Sequence, residues 1–297
     1  MKKPKKDVYE IISERLIEGL EDAIKNESAA PWQKPWSTSG AYPVNFRSQK
    51  HYRGINVLIL HMAGYESPTW LTYNQAKEQG GMVRKGEKGT PVVFWNWIKK
   101  DATGKTTKSD AACVRKIPFL RYYTVFNIAQ VDGVEDKWTP APDKDSKPIE
   151  QAQQIVSDMP NAPTITHNEA RAFYRPTTDT VNMPRLGLFD SAEEYHSTMF
   201  HELAHSTGHK SRLNRDTISE GSAGFGTQTY SKEELVAEMA AAMLCGVVGI
   251  ENKIIDNSIA YLRSWIKKLK DDPKLAVQAG AQAQRAADCI QGIKWDK

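Results

Sequence analysis

The sequence predicts an α+β protein of two domains, a small antiparallel-sheet domain followed by a mainly helical one. Residues 90–98 and 120–129 are rich in β-branched and aromatic side chains, which is typical of strands. In the second half of the chain, long segments repeat apolar residues at the spacing of a helix. Residues 139–148 contain three prolines and four charged residues, a composition that is typical of a linker. The expected first domain, linker and second domain are residues 1–137, 138–150 and 151–297.

The composition excludes two classes of protein. Of the 297 residues, 40% are hydrophobic and 26% are charged, as in a soluble protein with a sizeable core. No run approaches the roughly 18 apolar residues of a membrane span. The basic N-terminus leads into an amphipathic segment, which is unlike a signal peptide. Three widely spaced cysteines indicate no disulfide framework, so we expect a cytoplasmic protein without membrane contact.

The first half is expected to alternate short elements with loops. Residues 8–25 carry apolar side chains at helical spacing, with acidic residues between them. A Pro-Trp repeat at 30–36 cannot continue that helix. Residues 56–63 predict a short apolar helix. The strands at 90–98 and 120–129 are expected to pair as a hairpin.

The second half is expected to be helical around a short meander of strands. Residues 163–183 resemble three short strands, and Ser191 with Glu194 forms a capping-box pattern at the start of a helix. Gly208 ends that helix. The other expected helices are residues 149–159, 231–244, 255–269 and 273–290.

The helix that begins at Ser191 contains the pattern His-Glu-x-x-His. His201 and His205 are four residues apart, so both imidazoles project from one helix face. Two neutral imidazoles at this spacing can bind one Zn²⁺, and Glu202 lies where it can act as general base toward water. We therefore expect a zinc site with Glu202 as the catalytic residue, with Mn²⁺ or another divalent ion as alternatives.

The third ligand is expected on a later helix. The longer His-Glu-x-x-His pattern with a third histidine fails here, because position 211 is Ser. Glu234 and Glu238 are four residues apart, so one can bind the metal and the other can orient a ligand histidine. We favour Glu234 as the ligand and Glu238 beside it. A capping box from Ser231 to Glu234 would reverse these roles.

Basic and aromatic residues alternate along the first half. Residues 30–130 contain 15 Lys and Arg against 5 Asp and Glu, a net charge of +10, whereas the whole chain carries +4. Aromatic rings in a basic groove are the general means of binding single-stranded nucleic acid. Rings on strands, such as Phe94, are expected to pack in the core instead. The residues expected to contact nucleic acid are Trp32, Trp36, Arg47, Lys50, Tyr52, Arg53, Trp70, Arg84, Lys85 and Lys88.

Several of these motifs, in this order, resemble those of ArdC-type antirestriction proteins. In the first half, the similarity lies in residues 31–36, 52–56, 70–73, 83–90 and 125–130. In the second half, it lies in residues 201–209, 233–238, 261–265 and 283–286. The resemblance covers nearly the whole chain. It implies a single-stranded-DNA-binding domain followed by a zincin-like metallopeptidase domain.

The resemblance also implies a function in conjugation. A protein of this family, carried by a plasmid, would protect incoming DNA from host restriction, with a host restriction component as a further possible partner. The pattern of ligands in related zincin-like domains favours Glu234. No small-molecule substrate is evident. Two alternatives stay open: a DNA-dependent metalloprotease that cleaves DNA-bound proteins, and a replication or primase accessory module with a structural zinc.

Overall fold

The computed structural model describes residues 6–26, 42–100, 115–138, 148–219, 228–250 and 259–294. Trp32 and Trp36, residues 101–114 between the two predicted hairpin strands, and residues 139–147 of the predicted linker lie outside these residues. Residues 148–150 of that linker instead belong to a helix. In the first half, the elements are α1 (Val8–Lys25), β1 (Val44–Asn45), α2 (Ile55–His61), β2 (Thr69–Thr72), α3 (Tyr73–Glu78), β3 (Met82–Val83), β4 (Thr90–Lys100), β5 (Arg115–Asn127) and β6 (Val131–Asp132). In the second half, they are α4 (Pro148–Ser157), β7 (Thr164–Thr166), β8 (Phe173–Arg175), β9 (Thr180–Asn182), α5 (Ala192–Ser206), α6 (Asp216–Ser219), α7 (Gln228–Val248), α8 (Ile259–Asp271) and α9 (Lys274–Ile290). The predicted α+β class is confirmed.

A four-stranded sheet forms the centre of the first half. Its strand order is β1-β2-β5-β4, with β1 parallel to β2 and the other pairs antiparallel. The predicted hairpin is confirmed, since β4 and β5 pair from Thr90 opposite Val125 to Lys100 opposite Arg115. β2 therefore lies inside the sheet and β4 at its edge. β3 and β6 form a separate two-stranded ladder.

The three strands of the second half do not form the expected meander. β9 pairs with β8 in antiparallel orientation but with β7 in parallel orientation, giving the order β7-β9-β8. Asn182 explains the crossing, because its side chain accepts hydrogen bonds from the backbone of Asn168 and Glu169. It also donates to the carbonyls of Glu169 and Arg171. This amide holds the loop that carries the chain past β9.

Helix α1 packs against the other end of the chain. A capping box between Asp7 and Glu10 starts the helix. Its buried face presents Ile12, Leu16 and Leu20 at intervals of four residues. The Ser13 hydroxyl donates to the carbonyl of Leu269 in α8 at 2.9 Å. The first helix of the chain is thus built into the helical half.

The largest hydrophobic core is shared by both halves. It joins α1 and α2 to α5, α7, α8 and α9, and it also takes in Val93 from β4. A separate contact ties residues 53–54 to α9, where the guanidinium of Arg53 donates to Asp288 at 2.5 Å. The Gly54 N–H donates to Gln284 beside it. The predicted boundary between the two domains therefore does not divide this core.

Within the described ranges, the helices are all too short or too polar to cross a lipid bilayer.

Candidate metal centre

Helix α5 places two histidines side by side. The Ser191 hydroxyl caps its first turn by accepting from the Glu194 N–H at 3.1 Å. Two turns later, His201 and His205 project from the same face. Their ring centres are 4.7 Å apart, and their Nε2 atoms approach to 3.0 Å. Both imidazoles therefore aim the same ring nitrogen at one point.

Helix α7 supplies a carboxylate at that point. Glu234 Oε2 lies 3.5 Å from Nε2 of His201, and Oε1 lies 3.5 Å from Nε2 of His205. The three residues each offer one ligand atom, and these atoms all lie within 4.8 Å of one another. All three side chains are nearly buried, with 10–12% of their surface exposed. Glu234 thus lies where the favoured assignment requires the third ligand.

The arrangement fits a divalent cation. Two neutral imidazoles with facing Nε2 lone pairs repel each other unless a proton or a metal ion lies between them. Tetrahedral ligands about 2.05 Å from a metal are roughly 3.3 Å apart, close to the 3.0 and 3.5 Å separations found here. Two nitrogens and one carboxylate oxygen form a donor set that Zn²⁺ and other first-row ions accept.

The surrounding charges favour a cation at the same place. Burial lowers the pKa of His201, but the hydrogen bond to Glu234 and the nearby Glu238 carboxylate outweigh it and raise this pKa to about 10. The pKa of His205 is raised in the same sense, against burial, by Glu234 and Glu233. Three glutamates therefore surround the two imidazoles, and they stabilise a positive charge there.

A second carboxylate orients His205 from behind. Glu233, next to the ligand residue in the chain, lies with Oε1 3.4 Å from Nδ1 of His205. Arg215 donates to both oxygens of Glu233, and the Thr217 hydroxyl donates at 2.5 Å. Although burial opposes it, His205 and Arg215 lower the pKa of Glu233 to about 2. An ionised Glu233 fixes the far nitrogen of His205 as the donor and leaves Nε2 free for a metal.

Arg215 is itself fully engaged inside the protein. Besides Glu233, it donates to the Thr207 hydroxyl at 2.6 Å and to the carbonyl of Ala204 at 2.8 Å. Only 7% of the residue is exposed. Sequence reasoning missed both Arg215 and Glu233. The available signal was a glutamate within a long apolar helix, because a buried charge requires a partner.

Glu238 lies on the other side of His201. Its Oε1 atom is 3.7 Å from Nδ1 of His201, which is beyond hydrogen-bond distance. Burial raises the pKa of Glu238 to about 7. Since Nε2 of His201 faces Glu234 while Nδ1 faces Glu238, the two carboxylates flank one ring. The expected role of Glu238 beside the ligand Glu234 stays a prediction.

Glu202 is buried beside the two histidines, with 8% of its surface exposed. Burial raises its pKa above the ordinary value, although His201 and His205 act in the opposite direction. A backbone hydrogen bond from Tyr174 in β8 also holds the carboxylate. A raised pKa makes this carboxylate a stronger base than an ordinary glutamate.

Two further histidines near the site in sequence have structural contacts. His196 is 2% exposed, and its Nδ1 atom lies 2.8 Å from the carbonyl of Ala192 one turn earlier. His209 contacts the Ser211 hydroxyl at 2.8 Å and lies 3.9 Å from Asp179.

Trp70 is a core residue, which corrects its assignment to nucleic-acid contact. It is 2% exposed and packs with Leu60, Val92 and Val125, with the Tyr65 ring edge-on at 5.6 Å. The reason is that both faces of β2 are covered, since Trp70 packs in one apolar cluster and Leu71, on the opposite face, packs in another. Trp70 therefore has no free ring face for stacking.

The remaining candidates for nucleic-acid contact differ in their exposure and in the contacts that they already make. Arg53 is bound to Asp288 and serves the contact between the two halves. Tyr52 is half-buried, and its hydroxyl accepts from Asn45 at 3.2 Å. Arg47 and Arg84 are exposed but form ion pairs with acidic neighbours. The exposed lysines of the predicted set are Lys50, Lys85 and Lys88.

Phe94, which was expected to pack in the core, is instead exposed. Phe94 is 54% exposed and Trp95 is 50% exposed in β4, while Tyr122 and Tyr123 in β5 are 39% and 46% exposed. Phe94 and Trp95 follow the buried Val92 and Val93 and lie on opposite faces of the hairpin, so both faces meet solvent at this point. The accessible rings of the described first half therefore concentrate on this hairpin.

The His-Glu-x-x-His helix and the glutamate of a later helix define a zincin-like metal-binding protein, and residues 150–282 match the family model for a zincin-like metallopeptidase. Residues 6–126 match the N-terminal domain of the anti-restriction factor ArdC. The chain belongs to the ArdC family of antirestriction proteins. It is similar in structure to antirestriction protein ArdC from plasmid R388, solved metal-free and bound to Mn(II). The TM-score is 0.72 at 37% identity, over 97% of this chain and 98% of that one.

Curated relatives extend the family to larger proteins. A DNA primase TraC of Escherichia coli is 38% identical over 98% of this chain. The chain spans only 27% of the length of that primase. The protein y4eC of Sinorhizobium fredii is 34% identical over 98% of this chain and 93% of its own length. The Mn(II)-bound relative and the ligand geometry together establish a divalent-metal centre of the zincin type.

Proposed function

We propose that this protein is a plasmid antirestriction factor that binds single-stranded DNA, and that its metal centre hydrolyses a peptide bond of a protein, a host restriction component being the expected target. The observation that carries the hydrolytic proposal is the convergence of His201, His205 and Glu234 beside Glu202. Kinship with ArdC and the basic first half support the DNA and antirestriction parts.

The ligand residues would bind the metal ion and leave one of its coordination positions open. His201, His205 and Glu234 supply three donors, the number typical of a catalytic zinc site. We infer Zn²⁺ from this donor set, with Mn²⁺ as the alternative bound by the relative from R388. When bound, a divalent ion supplies Lewis acidity that polarises a carbonyl and makes a water more acidic.

Glu202 has the separate task of moving a proton. Its carboxylate would accept a proton from the attacking water and pass it to the leaving amine. The raised pKa suits the first step, because it makes the carboxylate a stronger base toward water. Glu233 keeps His205 in the tautomer and orientation that binding requires.

The Glu202→Gln variant tests the hydrolytic proposal. It preserves the size of the side chain and all three ligands, so metal content measured by mass spectrometry should equal that of the wild type. Loss of at least about a hundredfold in peptide hydrolysis is expected for removal of a general base. Protection of transferred DNA in a restricting host should fall in parallel. Glu193→Gln, in the first turn of the same helix, is the matched control.

A second candidate function follows from the primase relatives. Nearly the whole chain recurs in proteins named DNA primase TraC, which favours a nucleic-acid-binding module with a structural metal. In that case Glu202→Gln would retain full protection, and coating of the strand would suffice. A third candidate function is that of a DNA-dependent metalloprotease that cleaves proteins bound to DNA. It requires that single-stranded DNA stimulate hydrolysis by the wild type.

A further inference from the structure

One face of the long hairpin carries an exposed row of rings that the function above has not used. Phe94 lies opposite Arg121, and Val92 lies opposite Tyr123, so these four side chains share a face of the β4–β5 ladder. Phe119 shares this face because it is two residues from Arg121. Val92 is buried in the core with Trp70, whereas Phe94 and Tyr123 are 54% and 46% exposed. The row begins where the core ends.

The side chains of this row form two contacting pairs. Phe94 and Tyr123 meet edge to face, with centroids 6.4 Å apart. The guanidinium carbon of Arg121 lies 4.7 Å over the ring of Phe119. The guanidinium of Arg121 thus lies over the Phe119 ring, where it can bind a phosphate or stack on a base. We name Phe94, Phe119, Arg121 and Tyr123 the ring row.

The charge of the two strands indicates the sign of the occupant. β4 and β5 together contain five basic residues and no acidic one. A surface that binds an apolar protein partner does not require an excess of basic residues. A single-stranded nucleic acid matches both features, because its phosphates can pair with the basic residues and its bases can stack on the rings.

The spacing of the ring row favours a single strand over a duplex. The ring centroids of Phe94 and Tyr123 are 6.4 Å apart, about twice the rise of about 3.4 Å between stacked bases of a duplex. Rings at twice that interval can each take the face of one base only when the strand is extended and unpaired. We propose that the ring row is the surface on which this protein stacks single-stranded DNA, a proposal that rests on the DNA-binding part of the proposed function.

The test compares variants of the full chain by fluorescence anisotropy with labelled oligo-dT and with a duplex of the same length. Phe94→Ala with Tyr123→Ala should weaken oligo-dT binding at least about tenfold, since each lost stack is costly. The salt dependence should stay unchanged, because no phosphate contact is removed. Arg121→Gln should instead lower the logarithmic salt slope by about 0.7. Tyr73→Ala, an equally exposed ring on α3 at 53%, is the control and should bind as the wild type does.

The outcomes separate the surface from the function. If the wild type binds oligo-dT and the double variant binds it equally well, the ring row is not the DNA surface, although the DNA-binding function stands. If the wild type fails to bind oligo-dT at all, the DNA-binding function itself is refuted. If the double variant loses only a concentration-dependent dimer in sedimentation, the row is a self-association surface and the proposal is overturned. Unchanged melting temperatures confirm that these surface variants fold.

Discussion

Replacing Gly280 by alanine tests the close approach of α2 and α9. Gly280 lies inside α9, and a Cβ added there would meet the backbone N and Cα of Ile55 at 2.7 and 2.8 Å. Helix propensity alone predicts that Gly→Ala in a helix interior stabilises by about 1 kcal/mol. The structure predicts the opposite sign.

The magnitude follows from what the new methyl group meets. Ordinary contact needs about 3.6 Å or more, so the two helices must separate by close to 1 Å. The obstructing atoms belong to the backbone, and no rotamer change removes them. Overpacking of this kind costs about 1–3 kcal/mol. Because backbone atoms cannot move aside, we expect a cost in the upper part of this range, about 2–3 kcal/mol. After the propensity gain of about 1 kcal/mol, a net loss of about 1–2 kcal/mol remains, which corresponds to a melting temperature lower by about 2–5 °C.

The assay is thermal unfolding of the full chain without metal, followed by circular dichroism. Gly187→Ala is the matched control, because its Cβ would meet nothing within 4 Å. That variant should melt within about 1 °C of the wild type. Truncating Ile55 to alanine as well should fail to rescue Gly280→Ala, since its backbone stays in place. A rise in melting temperature for Gly280→Ala alone would refute the packing argument.

Three further predictions concern ion pairs of the described residues. Arg53→Ala should destabilise by about 1–3 kcal/mol in urea unfolding, less than for a fully buried pair because the Arg53 side chain is 39% exposed. Arg215→Lys should weaken metal binding about 10–100-fold in chelator competition, because a lysine cannot make the paired hydrogen bonds that hold Glu233. Asp179→Asn should cost about 1–2 kcal/mol at neutral pH. Burial raises the pKa of Asp179, but Arg212 and Tyr174 outweigh it and lower the pKa, so this stability is lost only as pH falls below the ordinary carboxyl value.

Each of these predictions has a control. If Arg53 acts through Asp288, the double variant Arg53→Ala/Asp288→Ala should be less destabilised than the sum of the single variants. Lys210→Ala, on the exposed turn after α5, should leave metal affinity unchanged. Asparagine tolerates the positive φ of +47° at position 179, so the Asp179→Asn variant adds no backbone strain relative to the wild type. A stability difference for Asp179→Asn that persists in full at about pH 2 would contradict the ion-pair argument.

The metal site was largely predictable because its geometry is local. The interval between His201 and His205 is set by the helix repeat, and any helix places them together. The same repeat places Glu234 and Glu238 on one face of α7 and cannot choose between them. That choice depends on how α7 crosses α5, which long-range packing sets. Glu233 was missed for the same reason, since its partner Arg215 comes from another segment.

The aromatic residues were predicted less well because exposure depends on which parts of the sheet other elements cover. Trp70 and Phe94 both lie in strands with apolar neighbours, and local sequence does not distinguish them. Trp70 lies where the sheet is covered, whereas Phe94 lies on β4 beyond the buried Val92 and Val93. The buried ring had been assigned to DNA, and the exposed ring to the core. The sequence pattern of a strand shows which residues alternate between its two faces, but it does not show which elements pack against those faces.

The packing of α1 against α8 has a consequence for synthesis. Ser13 and Leu269, which share a hydrogen bond, are 256 residues apart in the chain. At about 5–20 residues per second, translation takes roughly 13 to 50 seconds to deliver the second partner after the first. During that interval, the apolar stripe of Ile12, Leu16 and Leu20 has left the ribosome without the helices that cover it. The nascent chain is therefore a natural client for a chaperone that binds short apolar segments until α8 and α9 emerge.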